Sequence, residues 1–382
     1  MLGRHLMMTF FVVCLNKNLF IFYIFIKIKY IIQFNMENKS KLTLIVDGNW
    51  LLMSRLSVLN NRYKDELELC QELKLLMLKS MEIVLRQFPS IDNIIFVSDG
   101  GSWRNKIQVP KFLEEAGIEY KGNREKSDEI NWELIFDEFE KFISVLSSTG
   151  ITVSRENGIE GDDWCWYWST KLNEENTNCI IWTKDKDLTQ LVKTNSDNCF
   201  TVWWNKESGL LSENKPDEEL NFLFNFKYDE NELIFKELIK NAKNDSCINP
   251  KHIILDKIIR GDLGDNIIPI LYRKSKTKQF RVASKDIPEN LNIHNETEIR
   301  QYIHNLLNSK TYLNKVEKDE EDIVQHFIYN VKLVELSKTN YPDNILEIFD
   351  KHSSYNVTKD ITIAENLIRA NSNKLKNVLD FI

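Results

Sequence analysis

The chain has 382 residues, of which 42% are hydrophobic, and a formal net charge of −7. This is enough to bury a sizeable core, in about two domains. The six cysteines have no paired short spacing and the six histidines no metalloprotease spacing, which excludes a disulfide framework and a zinc site and indicates reduced thiols in a cytosolic protein. The acidic balance argues only weakly against a nucleic-acid partner, because local charge matters more than the total.

Residues 1–36 form an unusual hydrophobic leader. Its apolar stretches are interrupted by Lys17, Lys27 and Lys29, so none reaches the ~18–20 residues that a membrane helix needs. A small-residue cleavage signal is also absent. We therefore predict that translation begins at Met36, that the leader is an upstream extension, and that the protein has no membrane partner. A signal anchor is the alternative.

Short apolar runs rich in β-branched residues predict strands that are buried on both faces of a parallel sheet. These runs lie at 42–47, 94–98, 151–153, 179–183 and 199–204. Helical periodicity predicts helices at 66–88, 130–146 and 162–172, and further along at 231–241, 251–260, 297–308, 320–336 and 361–380. Strands that alternate with helices favour an α/β layer structure up to about residue 230, followed by a mostly helical region.

Acidic residues stand where the apolar runs stop or in short acid-rich motifs. There are nine of them: Asp47, Asp99, Glu160, Asp162, Asp163, Asp185, Asp187, Asp262 and Asp265. Ligands of such sheets bind beyond the carboxyl ends of the strands, so we expect these side chains to converge on one cleft. Taken singly, Asp47, Asp162 or Asp185 is explained equally well as a helix N-cap.

Clustered carboxylates repel one another unless cations hold them, so the pattern predicts bound metal. Hard oxygen ligands select Mg²⁺, for which Mn²⁺ can substitute, over zinc. Nine acids are too many for one magnesium ion, which keeps several waters, and a two-ion site explains the surplus. Two such ions support in-line hydrolysis of a phosphodiester.

Five motifs, VDGNWL, FVSDGG, GIEGDDW, TKDKDLTQLV and GDLGDN, resemble those of the flap endonuclease / 5′-3′ exonuclease family. The likeness covers roughly 42–380 and is greatest to the ribonuclease H branch of T-even bacteriophages. It implies a PIN-like parallel-sheet nuclease core at 37–240 with a helical arch at 100–130. A mostly helical C-terminal region at 241–382, carrying a helix–turn–helix-like DNA-binding element, would follow.

The same resemblance implies how the acids divide between the ions. Asp47, Asp99, Glu160 and Asp162 would hold the first ion, and Asp185, Asp187 and Asp262 the second. Asp163 and Asp265 would act directly or through bound water.

The resemblance also implies the nucleic-acid contacts. Arch residues would neutralise the phosphate region, with Arg104 and Lys121 also serving catalysis and Tyr120 or Trp103 stacking on a base: Arg104, Tyr120, Lys121, Arg124 and Lys126. A solvated charged helix is the alternative. A later basic run, which replaces the glycines that would form a potassium site in the family, would hold duplex DNA by counterion release: Arg273, Lys274, Lys276, Lys278 and Arg281. A linker or a nuclear address is the alternative there.

Together these patterns predict a divalent-metal 5′ nuclease acting on DNA and RNA–DNA hybrids at 5′ ends and at branched or nicked junctions, in RNA primer removal. We expect it in the cytoplasm of a bacterial cell, as a bacterial or phage-encoded protein. Candidate protein partners are a single-strand-binding protein and a sliding clamp. The alternatives are a PIN-type single-stranded ribonuclease and an inactive junction-binding protein.

Overall fold

The computed structural model describes residues 42–59, 62–63, 65–88, 91–123, 130–194, 200–204, 235–236, 247–248, 250–271, 282–313 and 319–352. No helix in these ranges is both long enough and apolar enough to cross a membrane. The two parts of the predicted chain with the least structural description are therefore the leader and the segment between 205 and 249, each of which lies wholly or mostly outside these ranges.

A six-stranded sheet forms the centre of the described chain, in the order β3-β2-β1-β4-β6-β5. Its strands are β1 (Leu42–Asp47), β2 (Ile91–Val97), β3 (Thr152–Ser154), β4 (Asn178–Trp182), β5 (Lys193–Thr194) and β6 (Phe200–Trp204). All neighbouring pairs are parallel except β5 and β6, which are antiparallel. The predicted parallel α/β sheet is confirmed, and only the short strand β5 was not predicted.

The register of the sheet brings the ends of its strands level. Asp47, the last residue of β1, lies opposite Val97 of β2, and Val46 lies opposite Trp182 of β4. The chain adds β2 and β3 on one side of β1 and β4 and β6 on the other. The order of the strands therefore reverses between β1 and β4, which is where a sheet of this kind leaves a crevice at its carboxyl edge.

Helices cover the sheet, and all residues of β1 and β4 are buried. The covering helices are α1 (Gly48–Leu59), α2 (Glu66–Gln87), α4 (Trp132–Ser148) and α5 (Gly161–Glu174), with the short α3 (Lys111–Glu114) between α2 and α4 in the chain. In α4 the buried residues Ile135, Phe139, Phe142 and Leu146 recur at helical spacing, which is why its sequence predicted it. Helix α1 was not predicted, because its apolar residues surround the helix and do not form a stripe.

The C-terminal helices are α6 (Pro250–Arg260), α7 (Glu296–Leu307), α8 (Glu320–Val334) and α9 (Asp343–His352). Helices α6, α7 and α8 match predicted helices and share a second hydrophobic cluster. The helix predicted at 231–241 is wrong at 235–236, where β7 (Phe235–Lys236) pairs antiparallel with β8 (Cys247–Ile248). The helix predicted at 361–380 lies outside the described residues, and the proposed boundary at residue 240 stays a prediction.

Helix α9, which was not predicted, packs in the cluster of the sheet and not with α6, α7 and α8. Phe349 is 2% exposed, and its ring stacks on Tyr167 of α5 with the ring centroids 5.0 Å apart. Trp164 meets Phe349 edge to face at 5.2 Å. The chain thus returns to the nuclease-like core after its helical excursion.

Truncating this aromatic anchor should loosen α9. We expect Phe349→Ala to lower the free energy of unfolding by about 3–5 kcal/mol, because it removes a buried ring and leaves a cavity. Glu347→Ala, an exposed position on the same helix, is the control and should unfold like the wild type. Urea unfolding followed by tryptophan fluorescence measures both. Equal midpoints for the two variants would show that α9 is not docked on α5.

Candidate functional site

Asp47 ends β1 at the carboxyl edge of the sheet. Its Oδ1 accepts a hydrogen bond from the Trp50 backbone N–H at 3.0 Å, and its Oδ2 accepts one from Thr183 Oγ1 at 2.8 Å. It therefore caps α1, as the alternative interpretation held, while it also faces other acids. Burial, assisted by the charges of Asp99 and Asp185, raises the pKa of Asp47 to about 7. A nearby cation would relieve that cost.

Asp99 is oriented from two sides. Its Oδ1 accepts from the Gly161 N–H at 2.6 Å, and its Oδ2 accepts from Asn49 Nδ2 at 2.9 Å. Asn49 Oδ1 in turn accepts from Ser98 Oγ and from the Asp99 N–H. A Cβ at position 161 would lie 3.1 Å from Asp99 Oδ1, so glycine permits this approach. Asn49 was not singled out from the sequence, although it lies in the motif VDGNWL.

Asp162 and Asp185 extend the same group of acids. Burial raises the pKa of Asp162 well above its ordinary value, and the charges of Asp185 and Asp47 add to the rise. Asp185 follows β4, and its Oδ1 accepts from the Asp187 N–H at 2.9 Å, which starts a short 3₁₀ helix at Lys186–Leu191. Asp47, Asp99, Asp162 and Asp185 thus come from separate stretches of the chain and repel one another at one edge of the sheet.

Asp163 faces a different way from the cleft that the sequence predicted for it. It is fully buried, its Oδ2 accepts from the Glu160 N–H at 3.1 Å in a capping box, and Trp103 Nε1 donates to the same oxygen at 3.2 Å. Its Oδ1 lies 2.9 Å from Arg104 Nη2. The side chain of Asp163 is therefore engaged inside the protein.

Arg104 also departs from its predicted place at a phosphate, since it is only 3% exposed. Its Nη1 donates to Glu160 Oε2 at 2.7 Å, and its Nε donates to the Leu333 carbonyl of α8 at 3.0 Å. The guanidinium carbon lies 4.7 Å from the centre of the Trp103 ring. A buried charge needs such partners, so Arg104 joins α5 to α8. Sequence spacing carries no signal of the contact with Leu333.

Lys121 is the cation that faces the acids. Its Nζ contacts Glu160 Oε1, and it lies 4.9 Å from the centre of the Tyr120 ring. Burial disfavours the ammonium, but the carboxylate of Glu160 outweighs it and raises the pKa of Lys121. The combined pull of Arg104 and Lys121 also lowers the pKa of Glu160 despite its burial. Tyr120 is half-buried against the second hydrophobic cluster.

Asp187 and Asp262 form a separate pair that Lys257 bridges. Lys257 Nζ, on α6, contacts Asp187 Oδ1 and lies 2.5 Å from Asp262 Oδ2. Asp262 Oδ1 accepts from the Gly264 N–H at 2.8 Å. Burial would raise the pKa of Asp262, but Lys257 and the backbone donors lower it. Sequence reasoning missed Lys257, since a lone helical lysine is not a signal without its partners.

Within the described ranges, no three acidic, thiol or imidazole groups are already arranged as the ligands of one ion. The nine predicted acids instead fall into three sets: a repelling group at the sheet edge, a set neutralised by Arg104 and Lys121, and the pair bridged by Lys257. The residues Arg124, Lys126, Arg273, Lys274, Lys276, Lys278 and Arg281 lie outside the described residues.

Comparison with known proteins agrees with this sheet and its acidic edge. A family model described as the 5′-3′ exonuclease, N-terminal resolvase-like domain, matches residues 43–220. Residues 43–220 belong to this exonuclease domain family. The resemblance to the flap endonuclease / 5′-3′ exonuclease family and the predicted PIN-like nuclease fold are confirmed at that level. The likeness to the T-even branch stays a prediction.

Individual relatives of the exonuclease domain are distant. The 5′-3′ exonuclease of Buchnera aphidicola subsp. Acyrthosiphon pisum (strain APS) is 27% identical over 158 residues, which is 38% of this chain and 49% of that relative. The chain thus spans about half the length of this curated relative. Two solved structures are also similar: the T5 D15 protein co-crystallized with metal ions and the T5 5′-exonuclease with bound zinc. They are 16% and 18% identical, each covering 82% of this chain and 98% of its own, with TM-scores of 0.44 and 0.46.

A pH dependence follows from Asp47. Because its pKa is higher in the folded than in the unfolded chain, the folded state binds the extra proton, and stability of the metal-free protein falls as pH rises from about 4 to about 7. Asp47→Asn keeps an acceptor for the Trp50 N–H and removes that charge. We expect it to stabilise the protein in EDTA at pH 8 by a few kcal/mol, on the order of 1–4. Equal unfolding free energies at pH 8 would contradict the buried carboxylate.

The interior position of Arg104 is also testable. Arg104→Gln leaves Glu160 and Asp163 without their cation, so we expect the unfolding free energy to fall by about 3–5 kcal/mol. Lys106→Gln, at an exposed neighbouring position, should change stability little. Urea titration compares the two. A stable Arg104→Gln protein with weakened DNA binding would instead support direct contact with phosphate.

Proposed function

We propose that the chain is a divalent-metal-dependent 5′ nuclease, with 5′-3′ exonuclease and flap endonuclease activity on DNA and RNA–DNA hybrids at 5′ ends and junctions. The supporting observation is the group of buried, mutually repelling acids at the carboxyl edge of the sheet, in a domain of the 5′-3′ exonuclease family. Such repulsion is unfavourable for folding unless a cation is bound for function.

The donors at this edge fit hard cations, since they are carboxylates with no thiol or imidazole among the proposed ligands. Asp47, Asp99, Glu160 and Asp162 would hold one Mg²⁺ or Mn²⁺, and Asp185, Asp187 and Asp262 a second, with Asp265 acting through water. When bound, two such ions activate a water and stabilise the leaving oxygen of a phosphodiester. Asp163, which is held by Arg104 and Trp103, is proposed to orient Glu160 through the capping box.

The cations of the chain itself would position the substrate. The raised pKa of Lys121 keeps its ammonium charged, so it would serve as an electrostatic donor to phosphate and not as a base. Lys257 would keep Asp187 and Asp262 together in the protein without metal. Phosphate contacts carry no sequence information, so specificity would come from duplex geometry and a free 5′ end.

The biological setting extends this proposal. Removal of RNA primers in the cytoplasm of a bacterial or phage-infected cell follows from the T-even likeness, with the basic run at 273–281 holding the duplex. A structure of the T5 D15 flap endonuclease in complex with DNA and metal ions, 16% identical with a TM-score of 0.42, has a DNA-bound form. A single-strand-binding protein or a sliding clamp would be the protein partner.

Asp185→Asn tests the proposal. Its loss should lower the rate of cleavage of a 5′-labelled flap duplex in Mg²⁺ by on the order of a hundredfold or more, since a metal site supplies several kcal/mol. Binding of the same duplex in EDTA should survive. Asp137→Asn, on the exposed face of α4, is the matched control and should cut normally. Normal cleavage by Asp185→Asn would remove Asp185 from the metal site.

Product mapping would separate the proposal from its alternatives. Nicked, flapped and RNA-primed duplexes should release short 5′ products only with Mg²⁺, and a single-stranded RNA should be a poor substrate. Preferred cleavage of the single-stranded RNA would favour a PIN-type ribonuclease. Duplex binding with no cleavage at all would favour a junction-binding protein.

A further inference from the structure

Two asparagines that the nuclease proposal leaves without a role join two distant motifs. Asn123 ends the segment 119–123 at the foot of the predicted arch, and Asn266 closes the turn 262–266 after α6. Three hydrogen bonds connect the segments: Lys121 N–H to the Asp265 carbonyl at 2.9 Å, Asn123 Nδ2 to the Leu263 carbonyl at 2.8 Å, and Asn266 Nδ2 to the Glu119 carbonyl at 2.7 Å. We call these three bonds the latch.

The backbone at the latch is strained. Lys121 has φ 57° and Asn266 has φ 56°, in the left-handed region that side chains rarely adopt. Among the described residues, Asn176 with φ 54° is the other non-glycine residue with a positive φ. Such conformations persist only where surrounding contacts hold them, and they concentrate at functional sites. The bonds of the latch supply those contacts at both of its sides.

The latch connects the two halves of the proposed site. On one side, Lys121 carries the ammonium that contacts Glu160. On the other, the turn carries Asp262, whose carboxylate meets the Gly264 N–H and Lys257. The amide groups of the asparagines therefore set where Lys121 lies relative to Asp262. Neither amide is needed to bury apolar surface, since Asn123 is exposed and Asn266 is only partly buried.

We propose that Asn123 and Asn266 are positioning residues of the nuclease: they fix the Lys121 ammonium against the Asp262–Asp265 turn so that both sides of the cleft act on one phosphate. This inference rests on the proposed function. The asparagines act through their neighbours, and their side-chain donors already point at backbone carbonyls of the protein. Their loss should therefore lower the rate of the chemical step and leave DNA affinity in place.

Neutral substitutions separate positioning from stability. Asn266→Gly keeps the left-handed backbone easily and removes only the amide. Asn123→Ala removes the other amide at an exposed position. Asn176→Gly makes the same change at the same backbone conformation, at the exposed end of α5, and is the matched control. Thermal unfolding of each variant verifies that the fold is retained.

Single-turnover cleavage of a 5′-flap duplex in Mg²⁺ is the first measurement. We expect Asn266→Gly and Asn123→Ala each to slow cleavage by about tenfold or more, as outer contacts of catalytic groups do, with unchanged affinity for the duplex in EDTA. The double variant should lose less than the product of the two single effects, since both amides hold one latch. Asn176→Gly should cut like the wild type.

Hydrogen exchange at the Lys121 amide is the second measurement and needs neither metal nor DNA. The Asp265 carbonyl accepts from this amide, so its exchange should be faster in Asn266→Gly than in the wild type and in Asn176→Gly. Faster exchange with unchanged cleavage would overturn the positioning role, and unchanged exchange would overturn the latch itself. If the wild type cuts no duplex, the proposed function fails, while the exchange result still decides whether the latch exists.

Discussion

Electrostatic repulsion among buried carboxylates is the constraint on which the rest of the site depends. Asp47 ends the central strand, and burial together with its acidic neighbours raises its pKa to about 7. A protein gains no stability from collecting such groups, so their assembly is explained by a cation that they bind. The parallel sheet makes the assembly possible, because it delivers the ends of β1, β2 and β4 to one edge.

Three basic side chains limit that repulsion within the described part of the chain, and each connects the sheet edge to another part of the fold. Arg104 joins Glu160 to the carbonyl of Leu333 on α8. Lys121 extends from the foot of the arch to Glu160, and Lys257 extends from α6 to its two acids. The helical region is therefore part of the electrostatics of the site and does more than supply a surface for nucleic acid.

The aromatic contacts of α5 and α9 make this arrangement rigid. Tyr341 lies 5.8 Å from the ring of Trp103, which itself donates to Asp163. Packing against the C-terminal helix therefore extends to the residue that caps α5 and orients Glu160. A site whose ligands must hold their places before a cation arrives needs such support from packed side chains.

The sequence by itself determined the parallel strands, most helices and the identity of the acidic edge, because strand periodicity and acids at strand ends are local patterns. It could not determine that Asp163 points into the interior while its neighbour Asp162 faces other acids, since Arg104 and Trp103 decide this from about 60 residues away, a separation set by the fold. The bridge made by Lys257 and the docking of α9 were equally invisible. Direction and partnership of side chains depend on contacts between distant segments, and only the tertiary structure provides them.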